Sequence, residues 1–276
     1  MDRYRLKNII ILILVLLNGF LLFSLGQRRT EEQNAFPRTA EQLSALFQGD
    51  GMTLDIHAIS QDLPPDGVTF SRDTALEEQA AAFLLGKSLI SSDQGGGIYY
   101  YAGAAGEAFF RSSGSFEASG LLADRDPADF CRDFCRTFSY STPDIQLDSS
   151  GSGVFSTVCL YGGLPVFNCT VTFSIENYVL TAVSGTLLPK TGAAVAGETP
   201  LSAAGALVAF QQMRRESVVV ASTVLDTQLC YELQNTGAAI SLVPVWRIVT
   251  NTEDYYVNCY TGGVTTGGAR SSGSSS

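Results

Sequence analysis

One histidine, His57, serves the whole 276-residue chain. Acyl transfer by a serine or cysteine needs an imidazole beside the nucleophile, so it would have a single base to draw on. No G-x-S-x-G turn is present and no local motif pairs His57 with a cysteine. The bland assignment for His57 is an ordinary surface or strand residue. Asp124, Asp126, Asp129 and Asp133 form the densest carboxylate group. They read better as the N-terminus of a helix, where negative charge meets the positive end of the dipole. No glycine-rich phosphate loop stands in a strand-to-helix context. Six cysteines permit disulfides without requiring them. Cys131 and Cys135, four apart on a predicted helix, share a face and are poorly aimed at each other. With one histidine and no C-x-x-C pair, a structural zinc site is not expected, and most of the cysteines read as small buried hydrophobes. The expectation is a protein without catalysis, metal or cofactor.

Aromatic residues are the remaining candidates for recognition. In a strand, successive side chains face opposite sides, so each tyrosine run should place one ring in the core and another outside. Tyr99 and Tyr101, and Tyr255 and Tyr256, are therefore the candidates for exposed recognition. Trp246, inside an apolar strand, is expected in the core.

The nearly unbroken apolar run Ile9–Gly26 follows Arg3, Arg5 and Lys7. At ~1.5 Å per residue such a helix is about long enough for a ~30 Å hydrocarbon layer. The flanking cations predict a cytoplasmic segment 1–8, a transmembrane helix 9–26, a stalk 27–35 and an extracellular remainder. The chain is thereby expected in the plasma membrane as a single-pass protein, touching lipid through one helix. A cleaved signal peptide ending at Ser24-Leu25-Gly26 is the alternative, though its apolar part is usually shorter. Within the run, Asn18 is the strongly polar side chain and Gly19 allows close approach. These two are the candidates for contact with another membrane helix.

Beyond residue 26 the chain carries 14 Lys+Arg against 26 Asp+Glu, a charge of −12. Such acidity excludes nucleic acid as a partner, because phosphate binding needs cations. No calcium loop of the D-x-[DN]-x-[DN]-G type is present.

The pattern predicts helices over 74–86, 126–138 and 199–214, each followed by strands. Thr74 and Glu77 have capping-box spacing, Asp126-Pro127 announces the second helix and Thr199-Pro200 the third. Strands are predicted at Ile98–Tyr101, Glu107–Arg111, Gly153–Tyr161, Leu164–Ile175 and Tyr178–Gly185. Others follow at Ser217–Thr223, Leu229–Leu233, Val243–Thr250 and Tyr255–Tyr260. Pro165-Val166-Phe167 and Pro244-Val245-Trp246 begin equivalent strands, which suggests a repeat of roughly 75–80 residues. The expected fold class is α+β: an N-terminal transmembrane helix, then repeated helix-plus-antiparallel-sheet units. The expected division is one unit over 36–120, two over 121–266 and a Gly/Ser-rich disordered tail from 267 to 276.

Several segments resemble YycI proteins. They are Met1–Ile11 with Leu16–Leu22, then Tyr161-Gly-Gly-Leu-Pro-Val-Phe-Asn168 with Ser184-Gly185. The ending is Leu242-Val-Pro-Val-Trp-Arg-Ile248 with Tyr255-Tyr-Val-Asn258 and Thr261-Gly262. The hairpin pattern is also similar to PepSY modules. The resemblance implies a membrane-anchored accessory regulator of a WalK-type sensor histidine kinase controlling cell-wall metabolism. It further implies protein contacts with that kinase and with a YycH-like partner. The alternative is a PepSY-like exported module that restrains a peptidase or binds a wall-associated ligand. The six cysteines and the Gly/Ala/Ser-rich middle depart from the family.

Overall fold

The computed structural model describes residues 39–267 apart from 124, 196–198, 217–220 and 236–238. Among the described residues four α-helices form: α1 (39–49), α2 (Thr74–Leu85), α3 (Pro127–Thr137) and α4 (Ala203–Glu216). α3 follows its sequence signals. The Asp126 carboxylate accepts the Asp129 N–H at 3.0 Å, proline opens the first turn, and Phe130, Cys131, Phe134 and Cys135 are buried.

α2 corrects the expected capping box. Asp73, not Thr74, is the N-cap and accepts the Leu76 N–H at 3.0 Å. That leaves the Glu77 side chain free to turn inward, where it meets Arg72. α4 starts at Ala203 rather than Thr199 because the preceding backbone is already committed. The Leu201 N–H donates to the Cys259 carbonyl at 2.7 Å, and the Leu201 carbonyl accepts the Trp246 indole N–H at 2.8 Å.

The strands are β1 (Thr53–Leu54), β2 (Gly67–Phe70), β3 (Ile90–Gly95), β4 (Ile98–Gly103) and β5 (Gly106–Arg111). Next come β6 (Ser115–Gly120), β7 (Gly153–Tyr161), β8 (Leu164–Glu176), β9 (Val179–Thr186) and β10 (Ala193–Val195). The last four are β11 (Thr223–Asn235), β12 (Ile240–Thr250), β13 (Asp254–Asn258) and β14 (Val264–Thr266). Tight turns set the central meander. Gly162 and Gly163 join β7 to β8 with φ of 58° and 86°, a backbone that glycine adopts without strain.

The expected architecture is corrected on one central point. Among the described residues the chain is mostly one large mixed sheet of 14 strands, ordered β10-β2-β12-β11-β8-β9-β6-β5-β4-β3. Strands that fall in separate expected units join across them: β6 with β9, β2 with β12, and β8 with β11. The β8–β11 and β1–β11 pairings are parallel. A unit built only from antiparallel hairpins leaves unpaired edges, and here those edges satisfy one another.

The single-pass plasma-membrane placement is also corrected. No helix among the described residues is long and apolar enough to cross a membrane. The run Ile9–Gly26 that suggested it, with 1–8, 27–35, Asn18 and Gly19, lies outside the described residues, as do tail residues 268–276.

Two cores fill one side of β11 and β12. α2 and α3 cover the first, with Phe83 edge-on to Phe130, Phe134 and Phe138, and Phe134 edge-on to Phe173. α1 and α4 cover the second, with Phe47 against Phe210 and Phe210 against Tyr255. Leu229 belongs to the second core and Tyr231 to the first. Being two apart on β11, they share a face. Gln228, Cys230 and Glu232 consequently face the other way.

Candidate interaction surface

The β7–β8 ladder pairs Val158 with Thr170 but Cys159 with Val166, which leaves Phe167, Asn168 and Cys169 as a bulge. Bulges bend a strand and re-aim its side chains. Here the Phe167 ring lies on Tyr256 of β13, with centroids 3.7 Å apart and planes 15° from parallel. Cys230 and Val245 are buried in the same small cluster, which Phe167 covers. Asn168 reaches the backbone of β11. Its Nδ2 donates to the Leu233 carbonyl at 2.8 Å, and its Oδ1 accepts the Leu233 N–H at 2.7 Å. One carboxamide thus satisfies a donor and an acceptor, as a neighbouring strand would.

Beside this stack, Arg247 donates through Nε and Nη2 to Asp254 Oδ2 at 3.0 and 2.5 Å, and through Nη1 to Gln228 at 3.2 Å. Burial alone would lower the Arg247 pKa. The bond to Asp254 and its charge outweigh burial and hold the guanidinium above its ordinary value. A groove of about 230 Å³ runs alongside, lined by Glu232, Gln234, Val245, Tyr256, Asn258 and Thr265. Its walls are a tyrosine, valine side chains, amides, a carboxylate and hydroxyls, a mixed donor-and-acceptor lining.

Two of the segments that suggested YycI meet here, the central and the last; Met1–Ile11 and Leu16–Leu22 lie outside the described residues. Phe167 and Asn168 close the central motif, while Val245, Arg247, Tyr256 and Asn258 come from the last. No protein-family model matches the chain. No curated protein matches it either. Among solved structures it is similar to an uncharacterized protein from Eubacterium rectale ATCC 33656. That similarity has a TM-score of 0.44 and 11% identity, over 78% of this chain and 89% of that one.

The tyrosines chosen as exposed candidates are placed differently by the structure. Tyr99 and Tyr101 share the core-facing side of β4: Tyr101 is buried, and Tyr99 is half-buried with the Arg72 guanidinium 4.6 Å from its ring centre. Tyr100 faces outward, bonding Glu107 at 3.0 Å and packing on Phe109. Tyr255 is buried under α4, and its hydroxyl donates to Glu253 at 2.6 Å. Tyr256 points the opposite way as alternation requires, yet it too is buried, because Phe167 covers it. The alternation argument supposes one solvent face, and at this point β13 has none. Trp246 is fully buried.

Sequence reasoning missed the Arg72 cluster. Arg72 makes a two-pronged pair with Glu77 at 2.8 and 2.9 Å and donates to the Gly97 carbonyl at 2.7 Å. No local signal marks it, since the partners come from α2 and from a turn far along the chain. His57 is exposed on a single helical turn after Asp55. No group of metal-ligating side chains occurs among the described residues. Asp126 caps α3, Asp129 pairs with Arg132, and Asp133 pairs with Arg125 and Arg136; Asp124 lies outside the described residues. All six cysteines are free and buried. Burial pushes Cys131, Cys135 and Cys259 up to about 12 and Cys230 to about 11. A thiol held protonated at neutral pH is a poor nucleophile.

Proposed function

We propose that this chain is an accessory regulator of a sensor histidine kinase of the WalK type, a class that controls cell-wall metabolism. It acts by protein contact and without catalysis of its own, and a YycH-like protein is its second partner. The observation that carries the reading is the meeting of the two YycI-like segments. Phe167 lies on Tyr256 and Asn168 holds Leu233, so residues far apart in sequence build one surface beside a polar groove. The buried, protonated thiols support the non-catalytic part.

The test is co-purification of the full chain with the WalK-type kinase of the same organism. Thr265 lines the groove and is exposed, so Thr265→Arg fills the groove without disturbing the core. Association is expected to weaken about tenfold, which is ~1.4 kcal/mol. Failure of the unsubstituted chain to bind the kinase, or capture of a peptidase in its place, would overturn the reading.

A further inference from the structure

The β7–β8 register places two of the six cysteines in a special relation. Pairs run without interruption from Gly153–Ile175 to Val158–Thr170, so the next pair of an unbroken ladder would be Cys159 with Cys169. The bulge shifts Val166 into that place, yet the two thiols stay together. Tyr140 pairs with Cys159 and donates its hydroxyl to the Thr186 carbonyl that Cys169 also approaches, and the Cys159 side chain beside Cys169 pushes that thiol well above its ordinary range. Cys159 Sγ also approaches the Ser139 carbonyl at 3.6 Å, and Cys169 Sγ the Thr186 carbonyl at 3.3 Å. Both side chains are buried in the first core, with 1% and 0% exposure. Cys159 and Cys169 each adjoin the directly opposed pair Val158–Thr170, and opposed positions on antiparallel strands have the Cα separation that a disulfide spans.

We propose that Cys159 and Cys169 are a disulfide-forming pair that closes the bulge carrying Phe167 and Asn168. The chemistry is thiol–disulfide exchange with a small disulfide such as oxidised glutathione. One protein thiolate attacks the disulfide, forming a mixed disulfide and releasing one reduced glutathione. The second protein thiolate then attacks the mixed disulfide, forming the Cys159–Cys169 bond and releasing the other. Two protein thiols are oxidised, one glutathione disulfide is reduced to two thiols, and two protons move from protein to glutathione. Burial sets the timing. In the finished fold neither sulfur meets solvent, so exchange takes place while the hairpin is forming. Cys131 and Cys135 compete poorly, because they are four apart on one face of α3.

The experiment refolds the full chain from denaturant in a mixture of oxidised and reduced glutathione, and in parallel in excess reductant. Peptide mapping without reduction is expected to find Cys159 joined to Cys169, with four thiols titratable after denaturation instead of six. The bridged chain is expected to melt roughly 5 °C higher than the same chain after reduction. C159S and C169S each abolish the bridge and the gain, while C131S keeps both. Six titratable thiols in a natively refolded chain, or a bridge that uses Cys135, would overturn the proposal. Mapping is done on the unsubstituted chain, so it decides the matter even where a variant fails to fold.

Discussion

Phe167 and Tyr256 lie face to face at 3.7 Å on the side of the sheet away from the two helix-covered cores, one from a bulge and the other from β13, which pairs with β12. Aromatic pairs contribute about 0.5–1.5 kcal/mol beyond the area they bury. A double-mutant cycle with Phe167→Ala and Tyr256→Ala, read by urea unfolding, is expected to give a coupling of about 1 kcal/mol. Strict additivity would mean that the rings touch without supporting each other.

Arg72 and Glu77 form the most enclosed ion pair of α2, with side chains 21% and 7% exposed. Breaking such a pair strands the surviving charge and costs about 3–5 kcal/mol, whereas replacing both partners with apolar groups can be nearly neutral. Glu77→Leu alone should therefore destabilise more than Arg72→Met with Glu77→Leu together. Chemical denaturation midpoints of the three proteins settle the order.

Trp246 ties β12 to the segment before α4 through its bond to Leu201. Trp246→Phe keeps most of the ring but leaves the Leu201 carbonyl without that donor. The expected loss is about 1–3 kcal/mol, the cost of an unsatisfied buried acceptor plus a small void. Faster exchange of the first α4 amides than of the α3 amides should accompany it.

Alkali should unfold the chain early. Burial raises Cys131, Cys135 and Cys259 to about 12 and Cys230 to about 11, from an ordinary 9.0. Groups raised in the folded state give a contribution that is full below the unfolded pKa and is lost as pH climbs through the folded one. The window is therefore pH 9 to about 12. Within it each such thiol lowers stability by about 1.4 kcal/mol per pH unit at most. Replacing Cys131 and Cys135 with alanine should markedly flatten the slope measured in reductant between pH 9 and about 12.

Local chemistry makes the middle of the chain legible. β7 and β8 follow the predicted limits because glycine turns and alternating apolar residues set them within a few residues of sequence. α3 is equally local, with its cap, proline and phenylalanine stripe inside one short segment. β3 gives no such signal, since Ile-Ser-Ser-Asp-Gln-Gly is exposed throughout and has no apolar face to announce it. Nor does the joining of the units, which rests on pairings such as Val166 with Tyr231 that leave no mark on either neighbourhood. The surface around Tyr256 is half legible. Its ring stands out in the sequence, but the bulge that brings Phe167 over it depends on a register change between two strands.

The ladder between β6 and β9, five consecutive pairs from Ser115–Thr186 to Ser119–Ala182, binds the first expected unit firmly to the second. Strain entering at the β3 margin travels as far as β8 through successive rows of peptide bonds, and crosses to β11 through the one pair Val166–Tyr231. The strands from β3 to β8 share a change of twist as one stiff piece, and the single-pair junction with β11 is the line along which the sheet bends most readily. A grip on the β3 margin therefore turns the β3-to-β8 arm as one body about the Val166–Tyr231 junction.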